Sequence, residues 1–331
     1  MAEEAAVEEA AAEEQADIDR ILEERGRGRK KEYLCSWMDG AEPQWVAARY
    51  LKGTVALDEW RDAEDEVPEI REPEAEWRPK VEQLARWLQE AQRPCILLGA
   101  GISAPVLPTF RGAGGLWTKR AKRQAASTEP LAPTAAHEAL VALERKGHVD
   151  WLATQNYDNL TARSGFPMSK VSELHGNLFK EVCERCGATY FRDYEVELAT
   201  AVDHETGRHC EVADCSGRLR DNIIHFGEDL PAQDFERAEA HFGASDLRIA
   251  LGTSLAVEPA AGLLVQNRPR PRLRGARRRA KGRDTNTALT ASPTRARVCI
   301  VNLQPTPYDD QADLLVRATC DDVLRTLDEL L

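Results

Sequence analysis

The sequence predicts an α/β protein in which a Rossmann-like parallel-sheet domain carries a small zinc-binding lobe and follows a small β-rich module. Three observations lead to this prediction. Short apolar runs alternate with helical stretches over most of the chain, which is typical of a parallel α/β sheet. Two cysteine pairs interrupt that alternation, and strand-like stretches punctuated by glycine precede it. With 331 residues, the chain has room for one large domain and a small one.

Residues 1–16 are mostly alanine and glutamate, so they have no apolar face to bury and are expected to form a disordered acidic tail. They lack the basic start and apolar stretch of a secretory signal, and no run of the chain reaches membrane-spanning length. We therefore expect a soluble intracellular protein without membrane contacts.

Residues 17–62 contain two strand-like stretches around a glycine-punctuated turn, which predicts a small β-sheet module closed by a helix. The acidic, proline-broken stretch 63–78 is typical of a linker. The large domain, residues 79–331, is predicted to start with an amphipathic helix whose first residue is Pro79. Its apolar positions at helical spacing are Val81, Leu84, Ala85 and Leu88.

Five apolar runs are candidate strands of the parallel sheet: CILL at 95–98, WLAT at 151–154, NIIHF at 222–226, LRIAL at 247–251 and VCIV at 298–301. Glycine or polar residues follow each run at once. They are Gly99-Ala100-Gly101, Gln155-Asn156, Gly227-Glu228, Gly252-Thr253-Ser254 and Asn302-Leu303-Gln304. Ligands of open α/β sheets bind outside the carboxyl ends of the strands, so these endings predict one shared ligand site.

Gly99 and Gly101 alone are a weak signal, because an ordinary turn between a strand and a helix also uses such glycines. The continuation ILLGAGISAPVLPTFRGAGGLW strengthens it. Its glycines permit close backbone approach to a pyrophosphate, and Arg111 can bind phosphate oxygens. The stretch therefore predicts a dinucleotide site.

Eight cysteines in a reducing compartment are not expected to form disulfides. Cys95 and Cys299 lie in apolar runs, so burial is predicted for both. The pairs Cys183-Cys186 and Cys210-Cys215 match a structural tetrahedral zinc in a lobe at residues 182–219. Two alternatives are four unrelated cysteines, or His204 or His209 in place of one cysteine ligand.

Charge is unevenly distributed along the chain. Its net charge is −12, yet residues 268–297 hold eleven arginine or lysine residues against one acid, Asp284. That segment has almost no apolar residues and is predicted to be a disordered basic insertion. It favours nuclear import or a weak nucleic-acid contact, while the acidic remainder argues against general nucleic-acid affinity. A neutral insertion is the alternative.

These motifs resemble the sirtuin family of NAD-dependent protein deacylases. The resemblance spans residues 79–331 and is carried by the ILLGAGIS stretch followed, in family order, by QNYDNL, SELHGN, HFGEDLP, GTSLAVEP and VNLQPTP. The forms GLWTKR, RDNIIHFGE and VNLQPTPYDD are most similar to the type IV branch, closest to sirtuin 7.

The resemblance implies that NAD and zinc are cofactors, and that the acyl group of a lysine passes to ADP-ribose with release of nicotinamide. It implies that His175 is the catalytic general base. It implies that Asn156 is a second catalytic residue, which lines the nicotinamide pocket. The implied cofactor-binding residues are Gly99, Ala100, Gly101, Ser103, Phe110, Arg111, Trp117, Gln155, Asn156, Asp158, Gly252, Thr253, Ser254, Asn302, Leu303, Gln304 and Cys320. The implied peptide-binding residues are Phe226, Gly227, Glu228, Val257 and Glu258.

A second resemblance covers RKKEYLCSWMDGAEPQWV, which looks like a chromodomain. Trp37 falls at a position of the aromatic cage that binds methyl-lysine, whereas Ala16 and Gly40 stand where the other two aromatics are expected. A peptide-docking module is therefore favoured. An unrelated small β module is the alternative. The basic insertion and the similarity to the type IV branch imply a nuclear enzyme acting on histones or other chromatin proteins. A cytoplasmic or plastid location is the alternative.

Two departures from the family pattern favour competing functions. The ISAPVLPTFRG stretch is shorter than is usual and has Thr109 where the family has aspartate. An NAD-binding scaffold with little turnover is therefore one alternative, and a protein mono-ADP-ribosyltransferase is another. The sequence does not indicate an oligomeric state.

Overall fold

The computed structural model describes residues 18–26, 31–37, 42–51, 57, 68–107, 131–196, 204–225, 227–267 and 295–331. These form two compact units, one built on the described residues up to Pro68 and one on those from Glu69 onward. The predicted tail at 1–16 lies outside the described residues. Within the described part of the chain, no helix is long and apolar enough to cross a membrane.

The first unit is a three-stranded antiparallel sheet. Its strands are β1 (Ile18–Arg25), β2 (Glu32–Trp37) and β3 (Gln44–Ala47), in that spatial order. Its buried core consists of Ile21, Tyr33, Cys35, Leu51 and Leu57. This antiparallel sheet agrees with the predicted β-rich character of the module, while Ala16 and Gly40 lie outside the described residues.

The second unit begins with helix α1 (Glu74–Glu90), which starts before the predicted first residue, Pro79. Residues 74–78, predicted to belong to the linker, are therefore helical. Pro79 lacks the amide hydrogen for an intrahelical bond, which costs about 3 kcal/mol inside a helix. Burial offsets this cost, because each fully buried large apolar side chain contributes about 1.5–3 kcal/mol. Those of α1 are Trp77, Val81, Leu84 and Leu88.

A six-stranded parallel sheet organises the second unit. Its strands are β4 (Pro94–Leu98), β5 (Trp151–Thr154), β6 (Val171–Glu173), β11 (Leu247–Leu251), β12 (Arg297–Val301) and β13 (Leu314–Val316). Their spatial order is β6-β5-β4-β11-β12-β13, with every neighbouring pair parallel. The chain runs outward from β4 to β6 and then returns to β11 on the other side of β4. Such a reversal of strand order opens a ligand crevice between β4 and β11.

Helices cover both faces of this sheet. They are α2 (Ala135–Arg145), α3 (Leu160–Arg163), α4 (Ala232–Ala244) and α5 (Cys320–Leu330). Along β4, Ile96 and Leu98 face the layer of α1, α2 and α5, whereas Cys95 and Leu97 face the layer of α4. Alternate side chains of a strand point to opposite faces, so a strand buried on both faces is a continuous apolar run. The predicted burial of Cys95 and Cys299 is confirmed.

Four of the five predicted strands are confirmed, but NIIHF is not a strand. Residues 222–225 form an irregular segment, and Phe226 lies outside the described residues. The segment bonds to the loop after β6 and not to a strand: Ile224 N donates to His175 O at 3.2 Å, and Asn177 N donates to Asn222 Oδ1 at 3.1 Å. Strands β6 and β13 were not predicted, because runs of three residues are too short to show a period.

A small antiparallel lobe is inserted between β6 and α4. It contains β7 (Lys180–Cys183), β8 (Thr189–Phe191), β9 (Glu205–His209) and β10 (Arg218–Asp221), in the order β8-β7-β10-β9. Among the described residues of the lobe, the buried apolar cluster consists of Cys183, Cys215 and Leu219. So small a core provides little folding free energy by itself. The lobe would therefore depend on a bound metal for its stability, in agreement with the zinc prediction.

The predicted basic insertion is shorter than expected at its C-terminal end. Arg297 begins β12, and Arg295 pairs with Asp313 at 3.0 Å. Both residues are therefore part of the folded domain. The rest of the predicted insertion, residues 268–294, lies outside the described residues.

Candidate active site

The carboxyl ends of β4 and β11 approach closely where the strand order reverses. Gly99 N donates to Leu251 O at 3.0 Å, and Gly101 N donates to Gly252 O at 2.7 Å. A Cβ on Gly101 would lie 2.6 Å from Gly252 Cα, and a Cβ on Gly99 would lie 2.5 Å from Thr253 Cβ. Gly252 has a φ of +60°, in the left-handed region that favours glycine. The glycines predicted from the sequence are thus required by backbone packing at this edge.

Replacing Gly101 with alanine is expected to destabilise the protein by about 1–3 kcal/mol, because backbone atoms cannot move away from the added methyl as a flexible side chain can. Thermal unfolding with and without NAD measures the loss of stability and of ligand stabilisation. Gly243→Ala in α4 is the matched control, since its Cβ would meet only Gln266 at 3.5 Å. Equal stability of the two variants would contradict the packing argument.

The polar residues after β5 bind to the ends of β4 and β11. Gln155 Nε2 donates to Thr253 Oγ1 at 2.9 Å, and Asn156 Nδ2 donates to Gly99 O at 3.1 Å. Thr253 is buried. Three predicted strand endings therefore meet at one place, as expected for parallel strands with a common carboxyl edge.

Ser103 and Asp158 connect the turn after β4 to the loop after β5. Ser103 is buried, and its Oγ donates to Asp158 Oδ2 at 2.6 Å. The other oxygen of Asp158 accepts from Leu160 N at 2.9 Å. Hydrogen bonds to an ionised carboxylate are short and strong, so Asp158 fixes both loops.

His175 lies in the loop directly after β6, close to the end of β5. Its Nδ1 is 2.9 Å from Gln155 O, and the loop before it is anchored where Leu174 N donates to Thr154 O at 2.9 Å. Burial lowers the pKa of His175 below its ordinary value, although the bond to Gln155 opposes this effect. The imidazole is therefore neutral near pH 7, and with its Nδ1 proton directed to a carbonyl it presents Nε2 as a base.

Gly176 permits this position of His175. Its φ is +79°, and a Cβ there would lie 1.9 Å from Asn222 O. No side chain fits so close to a backbone carbonyl. The glycine next to the histidine in LHGN therefore reflects packing against residues 222–223.

A buried polar network under His175 was not predicted from the sequence. The side-chain amide of Asn177 donates to Glu173 Oε1 at 2.6 Å and to Asn159 Oδ1 at 2.9 Å, and Asn177 Oδ1 accepts from Phe179 N. Glu173 also pairs with Lys180 at 3.2 Å. The SELHGN motif contains two of these residues, but only the fold shows that they orient the loop and do not face the crevice edge.

Arg317 is a second residue that the sequence did not single out. It is buried and donates to Asn302 O at 2.9 Å and Gln304 O at 2.5 Å, and it pairs with Asp309. Leu303 O accepts from Ile70 N at 2.7 Å. The predicted adenosine-side loop after β12 is thus held from below by one guanidinium group. Cys320, also predicted at this end, is buried as the first residue of α5.

The residues predicted to bind the peptide lie on two segments. Glu258 accepts from Tyr308 Oη and, through Oε2, from Gly262 N at 3.1 Å. Val257 O accepts from Ala261 N at 3.0 Å. Glu228 Oε2 accepts from His225 N at 2.7 Å, next to Gly227, whose φ is +93°. Gly227 and Glu228 do not end a strand, contrary to the expectation, because residues 222–225 are irregular.

Four predicted site residues lie outside the described residues: Phe110, Arg111, Trp117 and Phe226. Thr109, which departs from the family pattern, also lies there. Their predicted roles stay predictions.

The four cysteines of the lobe converge as predicted. Their sulfur atoms all lie within 4.8 Å of one another, with 3.6 Å between Cys183 and Cys215 and 3.5 Å between Cys186 and Cys210. In a tetrahedral zinc site with Zn–S bonds of about 2.3 Å, sulfur atoms are separated by roughly 3.8 Å. The four thiols therefore fit a zinc ion with no open coordination position. Neither His204 nor His209 is in this group.

Neighbouring groups favour the thiolate, the metal-binding form, at Cys183 and Cys210 but not at Cys186, whose pKa is raised to about 12. The backbone amide of Cys186 stabilises the Cys183 thiolate and lowers its pKa to about 6. Tyr190 Oη lies 3.1 Å from Cys210 Sγ, and Arg185 Nη1 donates to Cys215 O at 2.5 Å. Donors that orient a ligand sulfur or its backbone support a metal site from outside.

Curated proteins similar to this chain come from plants and animals. The Sir2 family pattern matches residues 121–259. NAD-dependent protein deacetylase SRT1 of Arabidopsis thaliana is 37% identical over 251 residues, covering 74% of this chain and 48% of that protein. Human NAD-dependent protein deacetylase sirtuin-7 is 36% identical, covering 78% of this chain and 62% of that protein. NAD-dependent protein deacetylase Sirt6 of Drosophila melanogaster is 30% identical, covering 90% of this chain and 84% of that protein.

Solved Sir2 structures share the fold. Sir2 bound to acetylated peptide is 29% identical, with a TM-score of 0.52, and covers 75% of this chain and 97% of that chain. Sir2 with a p53 peptide and NAD⁺ is also 29% identical, with a TM-score of 0.51.

The reversed strand order, the polar strand endings and the inserted four-cysteine lobe define a Rossmann-like α/β protein with a structural metal lobe. The Drosophila relative adds sequence similarity over nearly the whole of this chain. The chain belongs to the Sir2 family, the sirtuins. It spans 48% of the length of the plant relative and 62% of human sirtuin-7.

Proposed function

We propose that this chain is an NAD-dependent protein-lysine deacylase that transfers the acyl group to ADP-ribose and releases nicotinamide. The observation that carries the proposal is the position of His175. A half-buried neutral imidazole, oriented by Gln155 O at 2.9 Å, lies at the carboxyl edge of a doubly wound sheet. This is the arrangement that a general base for a bound dinucleotide requires. The names of the relatives, which are NAD-dependent protein deacetylases, support the same activity for this chain.

The residues at the crevice fit a dinucleotide. Gly99, Gly101 and Gly252 bring the ends of β4 and β11 together with no side chain between them, and Ser103, Thr253 and Asn302 follow three strands at the same edge. When bound, NAD supplies the ribose carbon that accepts the acyl oxygen, and nicotinamide is the leaving group. Asn156 and Asp158 would line the nicotinamide side, and the segment Asn302-Leu303-Gln304 the adenosine side, with Cys320 beyond it.

His175 performs the acid-base chemistry in this proposal. Its Nδ1 keeps its proton and donates it in a hydrogen bond to Gln155 O, so Nε2 is the atom that accepts a proton from a ribose hydroxyl. The resulting imidazolium keeps the bond to Gln155 O and can later return the proton. Burial, which keeps the imidazole neutral beforehand, also raises the cost of the imidazolium and so favours that return.

The zinc site has a structural role in this proposal. Four thiolates complete its coordination, so no position is left for a substrate or water. The acyl-lysine peptide would lie extended between Gly227-Glu228 and Val257-Glu258, adding its backbone to these segments. The solved relative, Sir2 bound to acetylated peptide, supports an acyl-lysine peptide as the substrate.

We further propose that the chain belongs to the type IV branch and acts in the nucleus on histones or other chromatin proteins. The similarity to sirtuin-7 and the basic insertion support this proposal. The three-stranded antiparallel sheet with Trp37 at the end of β2 supports a chromodomain-like docking module in the first unit.

The proposal predicts nicotinamide release that depends on both NAD and an acyl-lysine peptide. Purified full-length protein would be incubated with NAD and a panel of acetylated and longer-acylated histone peptides. Nicotinamide would be quantified, and the products would be identified by mass spectrometry. An acylated ADP-ribose and a free lysine are the expected products.

Each alternative gives a different result in this assay. Protein that gains the mass of ADP-ribose would identify a mono-ADP-ribosyltransferase. NAD binding without nicotinamide release from any peptide would contradict the deacylase proposal and support the scaffold.

A further inference from the structure

A histidine of the zinc lobe bridges two carboxylates beside the proposed peptide site. His204, directly before β9, has Nδ1 2.8 Å from Asp221 Oδ1 and Nε2 2.9 Å from Glu228 Oε1. The ring also stacks on His225, with 4.9 Å between centroids. Asp221 ends β10 and is buried, whereas Glu228 lies in the loop predicted to contact the peptide. The bridge therefore connects the lobe to that loop.

The loop from residue 222 to residue 228 is anchored at both ends. At its start, Asn222 and Ile224 bond to the His175–Asn177 segment. At its end, the two oxygens of Glu228 have different partners: Oε2 accepts from His225 N at 2.7 Å, and Oε1 faces His204. The first anchor belongs to the proposed general base, and the second belongs to the zinc lobe. Removal of the second anchor would detach Glu228 from the zinc lobe and leave the turn between His225 and Glu228 without that support.

The geometry requires a charged imidazole. A neutral imidazole has one N–H and one lone pair, so it can donate to only one carboxylate, and its lone pair would face the other. Both ring nitrogens of His204 face carboxylate oxygens, an arrangement that only the imidazolium satisfies. Consistent with this, the bond to Glu228 raises the pKa of His204, burial opposes it, and Asp221 raises it further. The pKa of Glu228 is correspondingly lowered, first by His204.

We propose that His204 is a positioning residue for the acyl-lysine peptide. Its imidazolium bridges Asp221 and Glu228 and so holds Gly227-Glu228 in the conformation that binds substrate. The peptide role of this loop rests on the proposed function, while the bridge itself does not. His204 touches neither the reacting atoms nor the dinucleotide crevice in this proposal. It acts only through Glu228.

The proposal predicts a pH dependence of peptide binding. Because the folded-state pKa of His204 is raised, the bridge is complete below that pKa and is lost as the pH rises through it. The groups that face His204 are Asp221 from β10, and Glu228 and His225 from the loop. We expect the KM for peptide to rise with pH across this range in the wild type and to be flat in His204→Gln.

The first test compares His204→Gln with the wild type by hydrogen exchange and by steady-state kinetics. Faster exchange is expected at residues 222–228, with zinc content unchanged. The KM for acyl-peptide is expected to rise about 10-fold, since a charge-assisted hydrogen bond is lost, while the KM for NAD and kcat change little. Asp221→Asn is the second variant, with the same direction of change and a smaller size. His148→Gln, in the turn after α2, is the control.

Either measurement can overturn the proposal. Unchanged exchange at 222–228 in His204→Gln and Asp221→Asn would show that the bridge does not hold the loop. A parallel rise in the KM for NAD with loss of zinc would show a structural role in the lobe instead. If the wild type releases no nicotinamide with any peptide, the proposed function fails. Exchange at 222–228 then still decides whether His204 holds the loop.

Discussion

Replacing His175 with alanine is expected to reduce NAD-dependent nicotinamide release by about 10²–10⁴-fold, the usual contribution of a positioned general base. The fold should survive the change, because the side chain contributes one hydrogen bond, to Gln155 O, worth about 1 kcal/mol. The measurement is nicotinamide release at saturating acyl-peptide, with thermal unfolding measured in parallel. His148→Ala, remote from the carboxyl edge, is the control.

The same histidine sets the acid limb of the pH profile. Because burial lowers the pKa of His175, its base form persists below the ordinary titration range of histidine and is lost only as the pH falls through the lowered value. We expect kcat to be flat near neutrality and to fall on the acid side. A fall that begins above pH 7, or one that persists in His175→Ala, would contradict the assignment of His175 as the base.

Replacing Cys183 with serine is expected to lower zinc affinity by more than about 100-fold, since even residues that merely orient metal ligands contribute 10–100-fold. Cys183 is buried at the centre of the lobe, and the lobe has almost no other core. Loss of the metal should therefore unfold β7 to β10 while the six-stranded sheet persists. β7 begins three residues after Asn177, so the loop carrying His175 should also become less ordered.

Zinc content per chain, measured on the purified protein, gives the first readout, and circular dichroism with and without a chelator gives the second. Cys299→Ala is the matched control, because that cysteine is equally buried but belongs to β12. It should keep one zinc per chain at some cost in stability. Full zinc content in Cys183→Ser would contradict the four-cysteine site.

The features predicted from the sequence depend on short-range patterns. The runs at 95–98, 151–154, 247–251 and 298–301 were recognisable as strands because both faces of a parallel sheet are buried, so that all their residues except Thr154 and Arg248 are apolar. The cysteine pairs were recognisable because each pair places two thiols at the short spacing that is typical of structural zinc sites. His175 was recognisable from its polar, glycine-flanked context and from a motif that the family shares.

The failures had the opposite cause. NIIHF has the composition of a strand, but its hydrogen bonds go to residues 175–177, and composition does not reveal the partner. Pro79 suggested a helix start, yet burial along α1 extended the helix back to Glu74. Both errors came from applying a local preference where a tertiary contact decided the outcome.

By itself the sequence determined the family, the α/β class, the four cysteines as candidate zinc ligands, and the strand endings that form the ligand site. These features depend on motifs and on spacing within single segments. Only the tertiary structure decided which groups support them. Arg317 bonds to the loop after β12, Asn177 bonds to Asn159, and His204 bonds to Glu228. Each of these bonds joins residues from different segments of the chain. Polar side chains of these types are common on any surface, so their roles follow from burial and from partners brought together only by folding.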